Sequence, residues 1–204
     1  MNVLVLDAMG VIYKSGDDVA ELLCPFIHEN GGILDNGRIA ALFHEASLGR
    51  ISAVQFWKEV QLDPHLEDAY LLRHRLSAGV VQFLGKVKSR TTSIWCLSND
   101  VSEWSRKLRE RFGLHHLMNG FVISGDIGAC KPDPVIYKHL LAQTGAAAKE
   151  IILVDDRPRN LDAAAALGLQ TILFGAAPQA RPFQHRVAAD FNQVFDIVCQ
   201  TPGV

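Results

Sequence analysis

Cysteine is scarce and scattered in this 204-residue chain. Cys24, Cys96, Cys130 and Cys199 form no Cys-x-x-Cys pair, which argues against a zinc ribbon, a dithiol redox motif or a disulfide-stapled scaffold. The eight histidines lack His-x-x-x-His and mixed Cys/His spacing, so no classical transition-metal site is spelled out. Long apolar runs are missing, and no leader-like stretch precedes the first apolar segment, which starts at residue 2 or 3. An excess of either charge is also missing: 20 Lys and Arg face 22 Asp and Glu, with no basic run and no aromatic-interleaved basic patch. Nucleic acid and membrane surfaces are therefore poor candidates for the principal ligand. A small molecule is the expected partner, and free thiols in a reducing cytoplasm are the expected setting.

Three apolar runs of strand length are present, and each ends in a polar side chain. Val3 to Leu6 leads into Asp7, Ile94 to Leu97 into Ser98, and Ile151 to Val154 into Asp155 and Asp156. A continuous apolar run suits a strand buried on both faces, and in open parallel sheets ligands bind at the carboxyl ends of such strands. Between the second and third runs lies a constrained loop, Gly128-Ala129-Cys130-Lys131-Pro132-Asp133-Pro134. Pro132 restricts the backbone of Lys131 to extended conformations and so directs its side chain.

Phe121 to Ile123 and Gln170 to Phe174 supply two further strands, giving five with intervening helices and hence a doubly wound parallel α/β sheet. Residues of about 14 to 78 interrupt this alternation with helical periodicity. Val19, Leu22, Leu23, Phe26 and Ile27 form one stripe, disturbed by Pro25. Ile39, Leu42, Phe43 and Ala46 form a second, with Asn36 as its expected N-cap and Gly49 as its stop. Ser52 to Gln55 reads as a capping box for a third helix, and a fourth is expected to open at Pro64. The division is thus a core of residues 1–13 and 79–204 and a helical insertion of 14–78. Residues 176 to 190 show no clear period, and a closing helix is expected through Phe191, Val194, Phe195 and Val198.

In this order the four stretches LVLDAMGVIY, IWCLSND, GACKPDP and ILVDD resemble the signatures of the haloacid-dehalogenase-like hydrolase superfamily across the whole chain. The resemblance implies a Rossmann-like core with an all-helical cap of the C1 type. It implies Asp7 as nucleophile, Ser98 and Lys131 as further catalytic groups, and Ser98, Asn99 and Lys131 as substrate-binding residues. It also implies one Mg²⁺ held by Asp7, the Met9 carbonyl and the Asp155/Asp156 pair, with Asp156 favoured as the direct ligand and Asp155 and Asn160 as orienting groups. The pair followed by Arg157-Pro158 is also the composition of a simple helix start.

One position departs from the pattern. The phosphatase form of the first signature is Asp-x-Asp-Gly, whereas this chain reads Asp7-Ala8-Met9-Gly10, and a thioether neither donates nor accepts the proton that the second carboxylate handles. The expected activity is a Mg²⁺-dependent phosphatase acting on a small phosphorylated metabolite through an aspartyl-phosphate. A 2-haloacid dehalogenase, whose halide needs no proton, and a weakened phosphate-binding pseudoenzyme are the alternatives. Arg38, Arg50 and Arg73 of the insertion are candidates for an anionic substrate tail, although each also suits a solvated helix face.

Overall fold

In the computed structural model, residues 2–175 and 184–200 are described. Strand β1, Asn2–Leu6, lies in the middle of a six-stranded parallel sheet of order β3-β2-β1-β4-β5-β6. The other strands are β2 (Thr91–Ser98), β3 (Gly120–Ile123), β4 (Ile151–Asp155), β5 (Gln170–Phe174) and β6 (Arg186–Ala188). Alternate side chains of β1 enter different cores, as the two-residue repeat of a strand requires. Val3 and Val5 pack with Leu97, Leu153 and Tyr137, while Leu4 and Leu6 pack with Ile94, Ile152 and Val154. The expected five strands become six, because the three-residue β6 pairs with Ile172 to Phe174 of β5. A strand this short has no period to read, and it adjoins residues 176–183, which lie outside the described chain.

Between β1 and β2 the insertion folds into helices as expected, with two local corrections. Val19–Leu23 is a π-helical turn that passes into α1, Cys24–Glu29, rather than one continuous α-helix. Pro25 has no N–H to return to residue 21, and the chain widens just before it. Helix α2, Asn36–Ser47, is capped by Asp35 rather than Asn36: Asp35 has extended backbone, and its carboxylate accepts from Arg38 N at 3.0 Å. Ser52 caps α3, Ala53–Glu59, accepting from Gln55 N at 3.1 Å. A 3₁₀ turn at Pro64–Leu66 then leads into the short α4, Glu67–Leu71.

The remaining helices alternate with strands. They are α5 (Val80–Val87), α6 (Ser102–Arg111), α7 (Ser124–Ile127), α8 (Pro134–Thr144), α9 (Pro158–Ala166) and α10 (Phe191–Gln200). Residues of α8 and α9 cover one face of the sheet, and residues of α5, α6 and α10 cover the other. The buried side chains of the insertion belong to that second core, where Trp57 and Tyr70 lie against Trp104 of α6 at ring-centroid distances of 5.8 and 5.0 Å.

Two backbone contacts bring the insertion close to the core. Ser124 Oγ donates to Ser47 O at 2.5 Å, and Gly49, at φ +68°, sits where a Cβ would lie 2.3 Å from Gly125 O. The stop signal read at Gly49 is thus also a close approach that admits only glycine.

Candidate active site

The carboxyl ends of β2, β1 and β4 lie side by side, and they carry Ser98, Asp7 and Asp155. Asp7 stands one residue past its strand, its N–H still bonded to Val154 O at 2.9 Å. Here the strand order reverses, running from β1 through β2 to β3 on one side and from β4 to β6 on the other, the usual crevice of an open α/β sheet. A cavity of about 740 Å³ opens there, bounded by Asp7, Met9, Ser98 and Lys131 from the core and by Asp18 and His44 from the insertion.

Lys131 is the centre of the charge arrangement. Its ammonium, buried, lies 2.7 Å from Asp7 Oδ1 and 2.7 Å from Asp155 Oδ2. Burial disfavours the ammonium, but the Asp155 and Asp7 charges outweigh that and hold Lys131 above its ordinary range, so it stays cationic. The lysine loop is fixed by Asn99, whose amide donates to Lys131 O at 2.9 Å and accepts from Lys131 N at 2.7 Å. Asn99 lines the cavity but spends its amide on the Lys131 backbone, a positioning task.

Asp7 Oδ1 accepts from both Ala8 N and Lys131 Nζ at 2.7 Å, while Oδ2 takes no hydrogen bond among the described residues. Burial, and next the Asp155 charge, push the Asp7 carboxyl up to about 7 despite the lysine.

The two terminal aspartates have divided tasks. Asp155 is saturated, receiving Lys131 Nζ, Arg157 N at 2.8 Å and the Asn160 amide at 3.0 and 3.1 Å. Asp156 Oδ1 is buried with no hydrogen-bond partner among the described residues, and Arg157 Nε stays 4.0 Å away. Burial, and then Asp155, raise the Asp156 carboxyl above its usual range. Gly10, at φ +79°, leaves the space that Asp156 fills: a Cβ there would stand 2.2 Å from Asp156 Oδ2.

Oxygens of Asp7, Asp155 and Asp156 lie within 4.8 Å of one another. Three carboxylates against one lysine, with one buried oxygen unpartnered, form an oxygen-rich set that fits a hard divalent cation. Ser98 Oγ, at the end of β2, is likewise buried without a partner among the described residues.

The motif residues Asp7, Ser98, Asn99, Lys131, Asp155 and Asn160 therefore meet at one crevice, with Asp156 beside Asp155 and Met9 on the cavity wall. The insertion arginines do not line it: Arg50 pairs with Glu45, Arg73 pairs with Glu29, and Arg38 is exposed. Sequence reasoning passed over Asp18, His44, Arg157 and Arg159, which do line it. The doubled Asp17-Asp18 after Gly16 was the one available signal.

A family model described as haloacid dehalogenase-like hydrolase matches residues 1–168. The chain belongs to this family. Among curated relatives, a phosphoserine phosphatase of Thermus thermophilus is 31% identical over 88 residues, 43% of this chain and 35% of the relative. The chain thus spans about a third of that protein's length. A phosphoglycolate phosphatase of Thiobacillus denitrificans is 24% identical over 184 residues, covering 82% of this chain and 80% of the relative.

Among solved structures, a family enzyme of Bacteroides thetaiotaomicron in complex with magnesium and inorganic phosphate superposes with TM-score 0.71 at 17% identity, covering 90% of this chain and 98% of that one. An L-2-haloacid dehalogenase of Xanthobacter autotrophicus with chloropropionic acid covalently bound superposes with TM-score 0.70 at 14% identity, over 99% and 100%. Both structural likenesses are of fold. The family is one of hydrolases, and phosphatases are among the curated relatives of this chain.

Proposed function

We propose that this chain is a Mg²⁺-dependent phosphomonoester hydrolase that acts on a small phosphorylated metabolite through an aspartyl-phosphate on Asp7, with residues 14–78 as its cap. What carries this reading is the charge imbalance at the crevice: Asp7, Asp155 and Asp156 converge on one ammonium, and Asp156 keeps a buried oxygen free. The phosphatases among the relatives and the magnesium-phosphate complex of the Bacteroides neighbour support it.

Asp7, Asp156 and the Met9 carbonyl would hold the cation, and Asp155 would orient the site through Lys131 and Asn160. When bound, Mg²⁺ supplies the positive charge that lets a carboxylate approach a phosphoryl group. The protein's own residues do the rest. Asp7 Oδ2, free of hydrogen bonds among the described residues, is the attacking atom, because Oδ1 is engaged by Ala8 N and Lys131. Lys131 also offers a fixed charge to a phosphoryl oxygen, and the unpartnered Ser98 hydroxyl offers a donor.

The test is hydrolysis of a panel of phosphorylated metabolites by the purified protein, with Mg²⁺ and with chelator. Turnover that requires Mg²⁺ is the expected result. Turnover of 2-haloacids in chelator would instead place the protein with the dehalogenases, and loss of neither Mg²⁺ affinity nor turnover in Asp156→Ala would remove Asp156 from the site.

A further inference from the structure

An alkyl phosphate leaves as an alkoxide unless a proton reaches its bridging oxygen, and the aspartyl-phosphate is then cleared only by water that loses a proton. Met9 performs neither task; its thioether packs in the apolar core, 7% exposed. Asp7 is the attacking group, Asp155 is saturated and Asp156 faces the cation set. Another proton carrier on the cavity is needed, and the chain path delivers a buried carboxylate there.

After Met9 the backbone doubles back, with Gly10 N bonded to Ser15 O at 2.8 Å. A Cβ on Gly16 would lie 3.8 Å from Gly10 Cα, and Arg157 pins this return by donating to Gly16 O at 2.7 Å. Asp17 and Asp18 follow immediately. Asp17 also borders the cavity, but it is exposed and caps the next turn, accepting from Ala20 N at 3.1 Å. Asp18 is 6% exposed and lines the same cavity as Asp7 and Met9.

Its surroundings are those of a group that handles protons. His74, 1% exposed, has Nε2 4.0 Å from Asp18 Oδ2 and no hydrogen-bond partner there among the described residues. The other ring nitrogen of His74 lies 3.3 Å from Leu71 O, which assigns it the N–H and leaves Nε2 as an acceptor when the ring is neutral. The Tyr70 hydroxyl and Asp100 Oδ2 are also buried, without hydrogen-bond partners among the described residues. Burial and then the Asp18 charge raise both groups well above their ordinary ranges. Unpartnered buried polar atoms are rare, and three of them gathered around one carboxylate mark a place built for more than packing.

We propose that Asp18, backed by His74, is the catalytic acid and base of this site and carries the proton that residue 9 cannot. The assignment rests on the phosphatase reading. Protonated Asp18 gives its proton to the bridging ester oxygen as the Asp7 Oδ2–phosphorus bond forms and the phosphorus–oxygen bond to the alcohol breaks, so a neutral alcohol departs. The resulting carboxylate takes a proton from water as the water oxygen attacks phosphorus and the Asp7–phosphorus bond breaks. Orthophosphate leaves, and Asp7 as carboxylate and Asp18 as acid are restored.

The experiment compares kcat/KM for p-nitrophenyl phosphate and benzyl phosphate, similar in size but opposite in their need for a proton, in wild type and Asp18→Asn with Mg²⁺. The variant should lose about 10²–10⁴-fold on benzyl phosphate and change by no more than about threefold on p-nitrophenyl phosphate. Because the base is also gone, p-nitrophenol should appear in a burst of one equivalent per site. Equal losses on both esters, or no loss on either, overturn the assignment while leaving the phosphatase reading in place. A wild type that hydrolyses neither ester overturns that reading, and the assignment with it. Should Asp18→Asn fail to fold by circular dichroism, Asp18→Glu is measured on the same two esters, with a greater loss on benzyl phosphate expected and equal losses again decisive against.

Discussion

Burial and the neighbouring Asp155 hold the Asp7 carboxyl at about 7 even though Lys131 stands 2.7 Å away. The protein carries this carboxylate for chemistry rather than for stability, and an amide of the same size relieves the repulsion. Asp7→Asn should therefore abolish turnover while the melting temperature at pH 8 stays the same or rises; a lower melting temperature would show that the ion pair with Lys131 outweighs the repulsion. Gly10 is the second decisive residue, because its positive φ and missing Cβ leave room for Asp156. Gly10→Ala should weaken Mg²⁺ binding by about 10–100-fold, the usual effect of disturbing a group that orients a metal ligand. Titration calorimetry on the variant measures this directly, and unaltered affinity would place the cation away from Asp156.

The elements show where reading a sequence succeeds and where it stops. β1, β2, β4 and β5 were legible because a strand covered on both faces must be an apolar run, and the polar residues ending the first three of these runs marked the crevice. Helix α8 was legible from Asp133 and Pro134, which cap and open it. β6 was not, since three residues pair only because β5 offers an edge. Asp18 and His74 were not legible either: they are 56 residues apart in sequence, and no local pattern announces that Tyr13, Tyr70 and Asp100 will gather beside them.

The joint between insertion and core is of the same kind. Glu67 of α4 is buried and accepts from the indoles of Trp57 in the insertion, at 3.2 Å, and Trp104 in the core, at 2.8 Å, with Lys107 Nζ 2.7 Å from its other oxygen. Glu67→Ala leaves two buried indole N–H groups without acceptors, a loss of about 2–6 kcal/mol at roughly 1–3 kcal/mol for each unsatisfied donor. Denaturant unfolding followed by tryptophan fluorescence checks this. A loss under about 1 kcal/mol would mean that water replaces the carboxylate.

At the scale of the whole molecule, the acidic crevice ties stability to pH and to the cation. Asp7 has a raised carboxyl in the folded state, so between about 4 and 7 the folded protein holds a proton that the unfolded chain has released. Without cation, stability should fall as pH rises through that window, and Asp156, also raised, adds to the same trend. Mg²⁺ removes the repulsion, so its stabilisation should be larger at pH 8 than at pH 5. At a hundredfold excess over Kd the gain is about 2.7 kcal/mol, or on the order of 5–10 °C in Tm for a domain of this size. Thermal melts at both pH values, with Mg²⁺ and with chelator, measure it; an equal shift at both would detach the cation from these carboxylates.

The position of β1 has a consequence for biogenesis. The strand that presents Asp7 is made first, yet its two partners come far later, Val3 pairing with Ser93 on one side and with Ile151 on the other. At roughly 5–20 residues per second, a ribosome needs about 7–30 s to reach β4 after finishing β1. Until β2 is made, Val3, Leu4, Val5 and Leu6 have no strand partner on the nascent chain, and until β4 is made one edge of β1 stays open, the kind of segment that invites aggregation. The crevice between β2, β1 and β4 is accordingly assembled only once β4 has been translated, so a product truncated before Lys131 carries the nucleophile without the lysine and acids that surround it.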